Sequence, residues 1–171
     1  MAMAAALMCL PILFAACSKE EKNNNTEPFA LDPLLQWGCS IADVEQHMQS
    51  KDWWADGNNG LEYWGDPFES WHKWYWVDST DMLTEQYLFE TEEGQNLRYV
   101  VCICWNTTVP VEKALNLLSR QGFHATGDSV LFDGENYFDQ HLSADGQTEA
   151  LTLADNDGWY ITYRPFNHQQ R

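Results

Sequence analysis

The residues best suited to chemistry are aromatic side chains crowded between Trp53 and Val77. Trp and Tyr join a large apolar ring to a polar edge, so they can anchor a protein or stack on a sugar. On a strand, Trp74 and Trp76 point to one face and Tyr75 to the other. We predict that rings on a sheet face without a helix over it bind a protein or a glycan; filling of the core is the alternative. The predicted binding residues are Trp53, Trp54, Trp64, Trp71, Trp74 and Trp76.

Cys17 offers a second kind of chemistry. It follows an apolar run over residues 4–16, which ends in Ala15 and Ala16, and it precedes charged residues. The run is too short to span a bilayer core of about 30 Å, and the pattern is typical of a cleaved secretory signal. It resembles the lipobox of bacterial lipoproteins. This resemblance implies a signal peptide over residues 1–16, a diacylglycerol on the Cys17 thiol and an acylated N-terminal amine.

The residues that follow Cys17 indicate a location. Residues 18–21 read Ser-Lys-Glu-Glu, which is similar to the Lys-acidic-acidic signal that directs lipoproteins of the Bacteroidetes to the outer face of the outer membrane. The resemblance implies a protein anchored by lipid to the outer membrane, on its periplasmic or cell-surface face. Two or more acyl chains hold a protein stably on a bilayer, because each buried CH₂ contributes about 0.8 kcal/mol.

The charge balance narrows the choice of partners. The chain has 9 basic and 26 acidic side chains and a net charge of −17, which repels phosphate backbones and anionic headgroups. We therefore expect no nucleic-acid partner. The expected contact with a membrane is the lipid on Cys17, and the expected further partner is a protein or a glycan.

The histidines, cysteines and carboxylates have no recognised catalytic or metal-binding spacing. We therefore predict no catalytic residue, no metal site and no cofactor, and we expect that the protein is not an enzyme. Cys39 could pair with Cys102 or Cys104, and three buried thiols are the alternative. An envelope hydrolase that uses surface carboxylates stays open as an alternative function.

The elements that position these residues begin after a tether. Residues 17–33 are polar, rich in Asn and interrupted by Pro28 and Pro33, which predicts a lipidated, flexible linker. The remaining length suits one compact domain or two small domains packed together. We divide it into a first α+β repeat over residues 34–106 and a second over residues 107–171.

Each repeat is predicted to contain one helix followed by four antiparallel strands. The first helix has Ser40 as N-cap and Asp43 in its first turn; the second has Thr108 as N-cap and ends at Gly122. Turn residues separate the strands, and Asp145-Gly146 and residues 155–158 are predicted hairpin turns of the second repeat. The predicted strands cover residues 61–64, 73–77, 83–90, 97–105, 129–132, 136–142, 148–153 and 159–164. The predicted fold class is α+β, a duplicated unit of one helix plus a four-stranded antiparallel meander, with the helices packed on one face of the sheet.

This order of elements resembles the tandem fold of the β-lactamase inhibitor protein. Residues 37–44, Trp-Gly-Cys-Ser-Ile-Ala-Asp-Val, are similar to the Gly-x-(Ser/Thr)-x-x-x-Val helix start of the SmpA/OmlA lipoproteins, small subunits of outer-membrane β-barrel assembly. The resemblance implies a non-catalytic binding scaffold and transfers no inhibitory or assembly residue. We expect a membrane-anchored envelope lipoprotein that binds a protein or a glycan. A structural subunit of an outer-membrane assembly is a further alternative.

Overall fold

A computed structural model describes residues 31–55, 60–63, 70–78, 82–106, 108–132 and 134–167, with only the backbone described at residues 60–63, 70 and 71. Within these residues the chain forms two helices and nine strands. The helices are α1 (Ile41–Met48) and α2 (Glu112–Arg120). The strands are β1 (Trp53–Ala55), β2 (Gly60–Tyr63), β3 (Ser70–Asp78), β4 (Leu83–Phe89), β5 (Leu97–Cys104), β6 (Phe123–Leu131), β7 (Tyr137–Ser143), β8 (Thr148–Ala154) and β9 (Trp159–Pro165).

The strands form one antiparallel sheet. Eight of them lie side by side in the order β1-β3-β4-β5-β9-β8-β7-β6, and β2 also pairs with β3. Because β1 pairs with the C-terminal half of β3 and β2 with its N-terminal half, these two short strands share one edge of the sheet. β6 forms the opposite edge.

This architecture corrects the predicted fold class. We expected two copies of a helix plus a four-stranded meander, with the helices packed on the sheet; the chain instead forms mostly one large antiparallel sheet, with two helices of only eight and nine residues. β5 and β9 pair with each other, so that Val100 lies opposite Tyr163 and Cys102 opposite Ile161. The prediction was wrong because alternation shows which residues of a strand share a face, whereas strand neighbours depend on distant parts of the chain.

The main core lies on what we call the first face of the sheet. Trp74, Tyr87, Val100, Tyr163 and Ala150 form a row across five strands, and all except Trp74 are fully buried. Burying a large apolar side chain stabilises the fold by about 1.5–3 kcal/mol. Both helices add apolar side chains to this cluster, namely Val44, Met48, Ala114, Leu117 and Leu118.

The opposite side of the sheet, which we call the second face, has its own apolar layer. Gln86, Val101, Thr162 and Leu151 form a row across four strands. Val101 and Leu151 have no exposed surface. The centre of the second face is therefore not open to solvent, and exposed side chains on this face lie toward its ends.

The helix starts show how local sequence acts. At α1, Ser40 is the N-cap as predicted, and its N–H donates to Asp43 Oδ2 at 2.8 Å. α2 begins at Glu112, later than predicted. Thr108 is not its N-cap, because the Thr108 N–H and hydroxyl both donate to Asn106 Oδ1 in the preceding turn. After α2, Gly122 adopts a positive φ of 86°, which terminates the helix as expected.

Candidate functional site

Two of the tryptophans predicted to bind a partner pack into the core of the first face. Trp76 is buried, and its ring meets Tyr87 edge to face at 5.6 Å between centroids. Trp74 is half-buried and meets Phe89 in the same way at 5.2 Å. Both rings therefore contribute to the packing of β3 against β4.

The other predicted tryptophans differ in exposure. Trp53 is half-buried, and the Lys51 Nζ lies 5.3 Å from its ring centroid. Trp54, the next residue, is 47% exposed. Trp64 and the side chain of Trp71 lie outside the described residues. Of the predicted set with a described side chain, Trp54 is the one that faces solvent most openly.

Exposed apolar side chains gather at one end of the second face, near the end of β5 and the start of β9. Trp54, Met82 and Trp105 are 47%, 43% and 48% exposed. Tyr160, whose ring contacts Trp105, is half-buried, and Trp54 lies across the sheet from it, on β1. We call these four residues the aromatic patch. Large apolar side chains exposed together on a soluble domain are typical of an interaction site.

Thr84 lies at the centre of the aromatic patch. Trp54 is opposite Val77, and Val77 is opposite Thr84, so Trp54 shares a face with Thr84 and lies two strand spacings, about 10 Å, from it. The Trp105 Nε1–H donates to Thr84 Oγ1 at 3.3 Å. The Trp105 backbone N–H donates to the Met82 carbonyl at 3.0 Å, which places these two residues side by side.

The Trp105 ring has a defined orientation. It meets the Tyr160 ring edge to face, with centroids 6.0 Å apart and planes at 86°, while its indole N–H is held by Thr84. A ring held at two points and still about half exposed can bind a ligand with little further loss of side-chain entropy.

A hairpin with two carboxylates borders the aromatic patch. Residues 155–158, the acidic hairpin, join β8 to β9. Asp155 Oδ1 accepts the N–H groups of Asp157 at 2.8 Å and Gly158 at 3.0 Å, which holds the turn. Asp155 and Asp157 are both exposed. The hairpin thus presents negative charge at a fixed position.

Gly158 explains why the acidic hairpin lies so close to Trp105. A Cβ at position 158 would be 1.9 Å from the Cys104 carbonyl oxygen and 3.3 Å from the Trp105 Cα, so only glycine permits this approach. Burial raises the pKa of the Tyr160 phenol, and the negative charges of the hairpin raise it further. The Tyr160 phenol therefore lies within the electrostatic influence of the Asp155 and Asp157 carboxylates.

A first buried carboxylate lies on the first face. Glu85 is fully buried, and both of its oxygens are 2.8 Å from Lys51 Nζ. The Tyr87 hydroxyl donates to it at 2.9 Å, and the Asp32 N–H donates at 3.2 Å. The cluster fastens the chain before α1 to β4, because Lys51 Nζ also donates to the Asp32 carbonyl at 2.7 Å.

A second buried carboxylate lies on the second face. Glu149 is buried in β8, accepts a 2.7 Å hydrogen bond from Gln140 Nε2 and forms an ion pair with Arg164. The Arg164 guanidinium lies 5.0 Å from the Phe132 ring centroid. Glu85 and Glu149 thus lie on opposite faces, each with its own cation, and do not form the facing pair that a glycosidase needs.

A shallow groove of about 350 Å³ runs between α1 and the segment before it. Its lining contains a single carboxylate, Asp43, which is engaged in capping α1. The groove is lined by Leu34, Gln36, Asp43, Gln46, His47 and Ser50. This lining does not bring two acids together for hydrolysis.

The three cysteines in the described part of the chain are buried thiols. Cys39, Cys102 and Cys104 are all free, and burial raises the pKa of each. A thiol with a raised pKa stays protonated near neutrality and is a weak nucleophile. Across the described ranges, no group of three or more His, Cys, Asp or Glu side chains is arranged to hold a metal ion.

Sequence reasoning missed most of the aromatic patch. The sequence predicts Trp105 at the end of one strand and Tyr160 within another, and it predicts no binding role for Trp105, Tyr160 or Met82. One feature of the sequence could have indicated that Trp105 is exposed. It lies at the junction between a strand and a turn, where a side chain can extend past its neighbours. Its proximity to Tyr160 depends on the β5–β9 pairing, which local patterns do not reveal.

The predicted signal peptide, the lipidation residue Cys17 and most of the tether lie outside the described residues. In the part of the chain that the structure describes, neither helix is long and apolar enough to cross a membrane. Comparison of the chain with protein-family models, with curated proteins and with solved structures found no match.

Proposed function

We propose that this protein is a lipoprotein of the bacterial cell envelope, held at the outer membrane by lipid on Cys17, whose folded domain is a non-catalytic binding module for a protein or a glycan. The observation that carries the proposal is the aromatic patch. Trp54 and Trp105 are both about half exposed, and Trp105 is oriented by Thr84 and Tyr160. Exposed, preoriented tryptophans are typical of binding surfaces.

Binding is tested with the purified mature protein on a solid support. Detergent-solubilised envelope proteins and purified envelope polysaccharides are passed over the wild type, the double variant Trp54→Ala/Trp105→Ala and the control Tyr137→Ala. Tyr137 is 67% exposed but belongs to β7, outside the aromatic patch. We expect the double variant to weaken retention by more than about tenfold, because truncating an interface tryptophan costs about 2 kcal/mol or more.

Equal retention by wild type and double variant would contradict the proposal, as would equal loss in the Tyr137→Ala control. Urea unfolding of each variant shows whether a loss of retention reflects unfolding. A partner recovered in fixed stoichiometry would favour the alternative of a structural subunit.

The anchor is tested separately by Cys17→Ser. Because the serine hydroxyl cannot take the place of the lipidated thiol, we expect the variant to leave the membrane fraction on cell fractionation. A Cys39→Ser variant is the matched control, because Cys39 lies within the folded part. An unchanged distribution of Cys17→Ser would remove the proposed anchor.

A further inference from the structure

We propose that the aromatic patch and the acidic hairpin together bind an arginine-bearing segment of a basic polypeptide. The inference rests on the proposed function, because it names the partner class of the same surface.

The first step is the continuity of the two features. Gly158 brings the acidic hairpin against the backbone of Cys104 and Trp105. Tyr160 follows two residues later and meets the Trp105 ring at 6.0 Å. A ligand on Trp105 and Tyr160 would therefore also be beside Asp155 and Asp157.

The second step is the composition of the aromatic patch, which favours a polypeptide over a sugar. Trp, Tyr and Met are enriched in the cores of protein interfaces. The Met82 thioether is a flexible apolar group and a weak acceptor, so it suits a side chain better than a hydroxyl-rich ring. Met82 is 43% exposed and adjoins Trp105.

The third step is a comparison with the cation–ring contacts formed inside the fold. Lys51 lies over Trp53, Lys73 over Tyr75 and Arg164 over Phe132, with each charged group 5.0–5.5 Å from the ring centroid.

Within the part of the chain that the structure describes, the rings of the aromatic patch have no such neighbour. Among the described residues, no cation lies over Trp54, Trp105 or Tyr160, and no ion pair involves Asp155 or Asp157. The aromatic patch therefore offers exposed rings, and the acidic hairpin beside it offers exposed carboxylates whose charge the described side chains do not neutralise.

The fourth step selects the cation. A guanidinium is planar, stacks on aromatic rings and bonds carboxylates through two N–H groups at once, whereas an ammonium is a strongly hydrated point charge. The net charge of −17 attracts a basic chain from a distance and raises its association rate.

The test uses the purified full mature protein and synthetic probes at physiological ionic strength. The probes are short peptides of alternating Gly and Arg, Gly and Lys, or Gly and Glu, together with neutral oligosaccharides. Binding is followed by tryptophan fluorescence and by calorimetry. We expect the Arg peptide to bind several-fold more tightly than the Lys peptide, and the Glu peptide not to bind.

Matched variants separate the site from general charge. Asp155→Asn/Asp157→Asn removes two charges but keeps the Asp155 side-chain oxygen that holds the turn. Glu92→Gln/Glu93→Gln removes two charges from an exposed loop at the opposite end of the sheet. We expect about tenfold weaker binding of the Arg peptide in the first variant, because two exposed ion pairs with the peptide are lost, and little change in the second.

The inference is overturned if Arg and Lys peptides bind alike, or if both double variants weaken binding equally, because either result means unspecific attraction. It is also overturned if neutral oligosaccharides bind and the Arg peptide does not. In that case Trp54→Ala/Trp105→Ala would still abolish retention of envelope material, and the proposed function would stand. If Trp54→Ala/Trp105→Ala still bound the Arg peptide and still retained envelope material as the wild type does, both the inference and the proposed function would be overturned.

Discussion

Glu85 is a carboxylate that the fold can bury only because several groups compensate its charge. Its oxygens accept hydrogen bonds from the Lys51 ammonium, the Tyr87 hydroxyl and the Asp32 backbone N–H. Breaking one partner of a buried ion pair is costly because the other charge is left without compensation. Glu85 therefore holds residues 31–34 against β4, and this structural role accounts for its burial.

We predict that Glu85→Gln lowers the free energy of unfolding by about 3–5 kcal/mol, measured by urea denaturation. The control is Glu90→Gln, which removes an exposed partner of Arg98 and should cost no more than about 1 kcal/mol. The joint replacement Lys51→Met/Glu85→Met should be less destabilising than Glu85→Gln, because it leaves no buried charge. Similar losses for Glu85→Gln and Glu90→Gln would contradict this account.

His141 links stability to pH. It is buried in β7, with its Nε2 3.3 Å from Thr152 Oγ1. Burial lowers the pKa of His141 below its ordinary value of 6.5; the Asp139 charge opposes this shift and His124 reinforces it. The unfolded chain therefore takes up a proton at a higher pH than the folded chain, and stability is lost as the pH falls below the unfolded value.

We predict that the urea midpoint of the wild type falls between about pH 8 and pH 5, and that His141→Gln shows a smaller fall. The pKa values of Asp43 and Asp145 are lowered from an ordinary value of 3.8, so these carboxyls stay ionised across that window. A pH dependence that is identical in the variant would show that other groups are responsible.

At the scale of elements, β5 and β9 are the strands on which the sheet depends. Each is paired on both sides, and their mutual pairing joins the part of the sheet before α2 to the part after it. Tyr163 packs against Phe123, and its hydroxyl donates to Gln121 Oε1, so β9 also contacts the end of α2 and the start of β6. The two predicted repeats therefore share one core.

We predict a single cooperative unfolding transition, since neither half can expose its central strand without losing the shared core. Tryptophan fluorescence, which reports mainly on the first half, and far-UV circular dichroism, which reports on all strands, should give coincident urea curves. Two resolved transitions would show that the halves are independent domains. A Thr162→Pro variant, which removes an amide from a strand paired on both sides, should fail to give either native signal.

At the scale of the whole molecule, charge is the dominant property. The net charge of −17 over the 171 residues of the chain produces self-repulsion that opposes folding. The buried pairs Lys51–Glu85 and Glu149–Arg164 are poorly accessible to salt, whereas most acidic side chains are screened readily.

We therefore predict that moderate NaCl raises the urea midpoint, because it screens repulsion more than it weakens the buried pairs. Glu92→Gln/Glu93→Gln, which lowers the repulsion, should show a smaller gain than the wild type. A midpoint that falls with salt would mean that attractive surface pairs outweigh the repulsion.

Local sequence predicted the parts of the fold that neighbouring residues control. The Ser40 cap of α1 and the hairpin turns at residues 145–146 and 155–158 follow from capping and turn chemistry within a few residues. The start of β6 at Phe123 was missed, because strand pairing with β7 outweighs weak local preference. Of the candidate site, Trp54 was predicted and Trp105 was not.

The charge, the aromatic content and the order of helices and turns can be read from the chain alone, since they follow from residue type and short-range contacts. The chain also carries the lipobox-like pattern at Cys17. The folded molecule is needed to see that β5 pairs with β9, that the centre of the second face is buried and that Trp105, Tyr160 and the acidic hairpin meet. The physical reason is that alternation along a strand defines its two faces, while the neighbour of each strand is selected by packing between residues far apart in the chain.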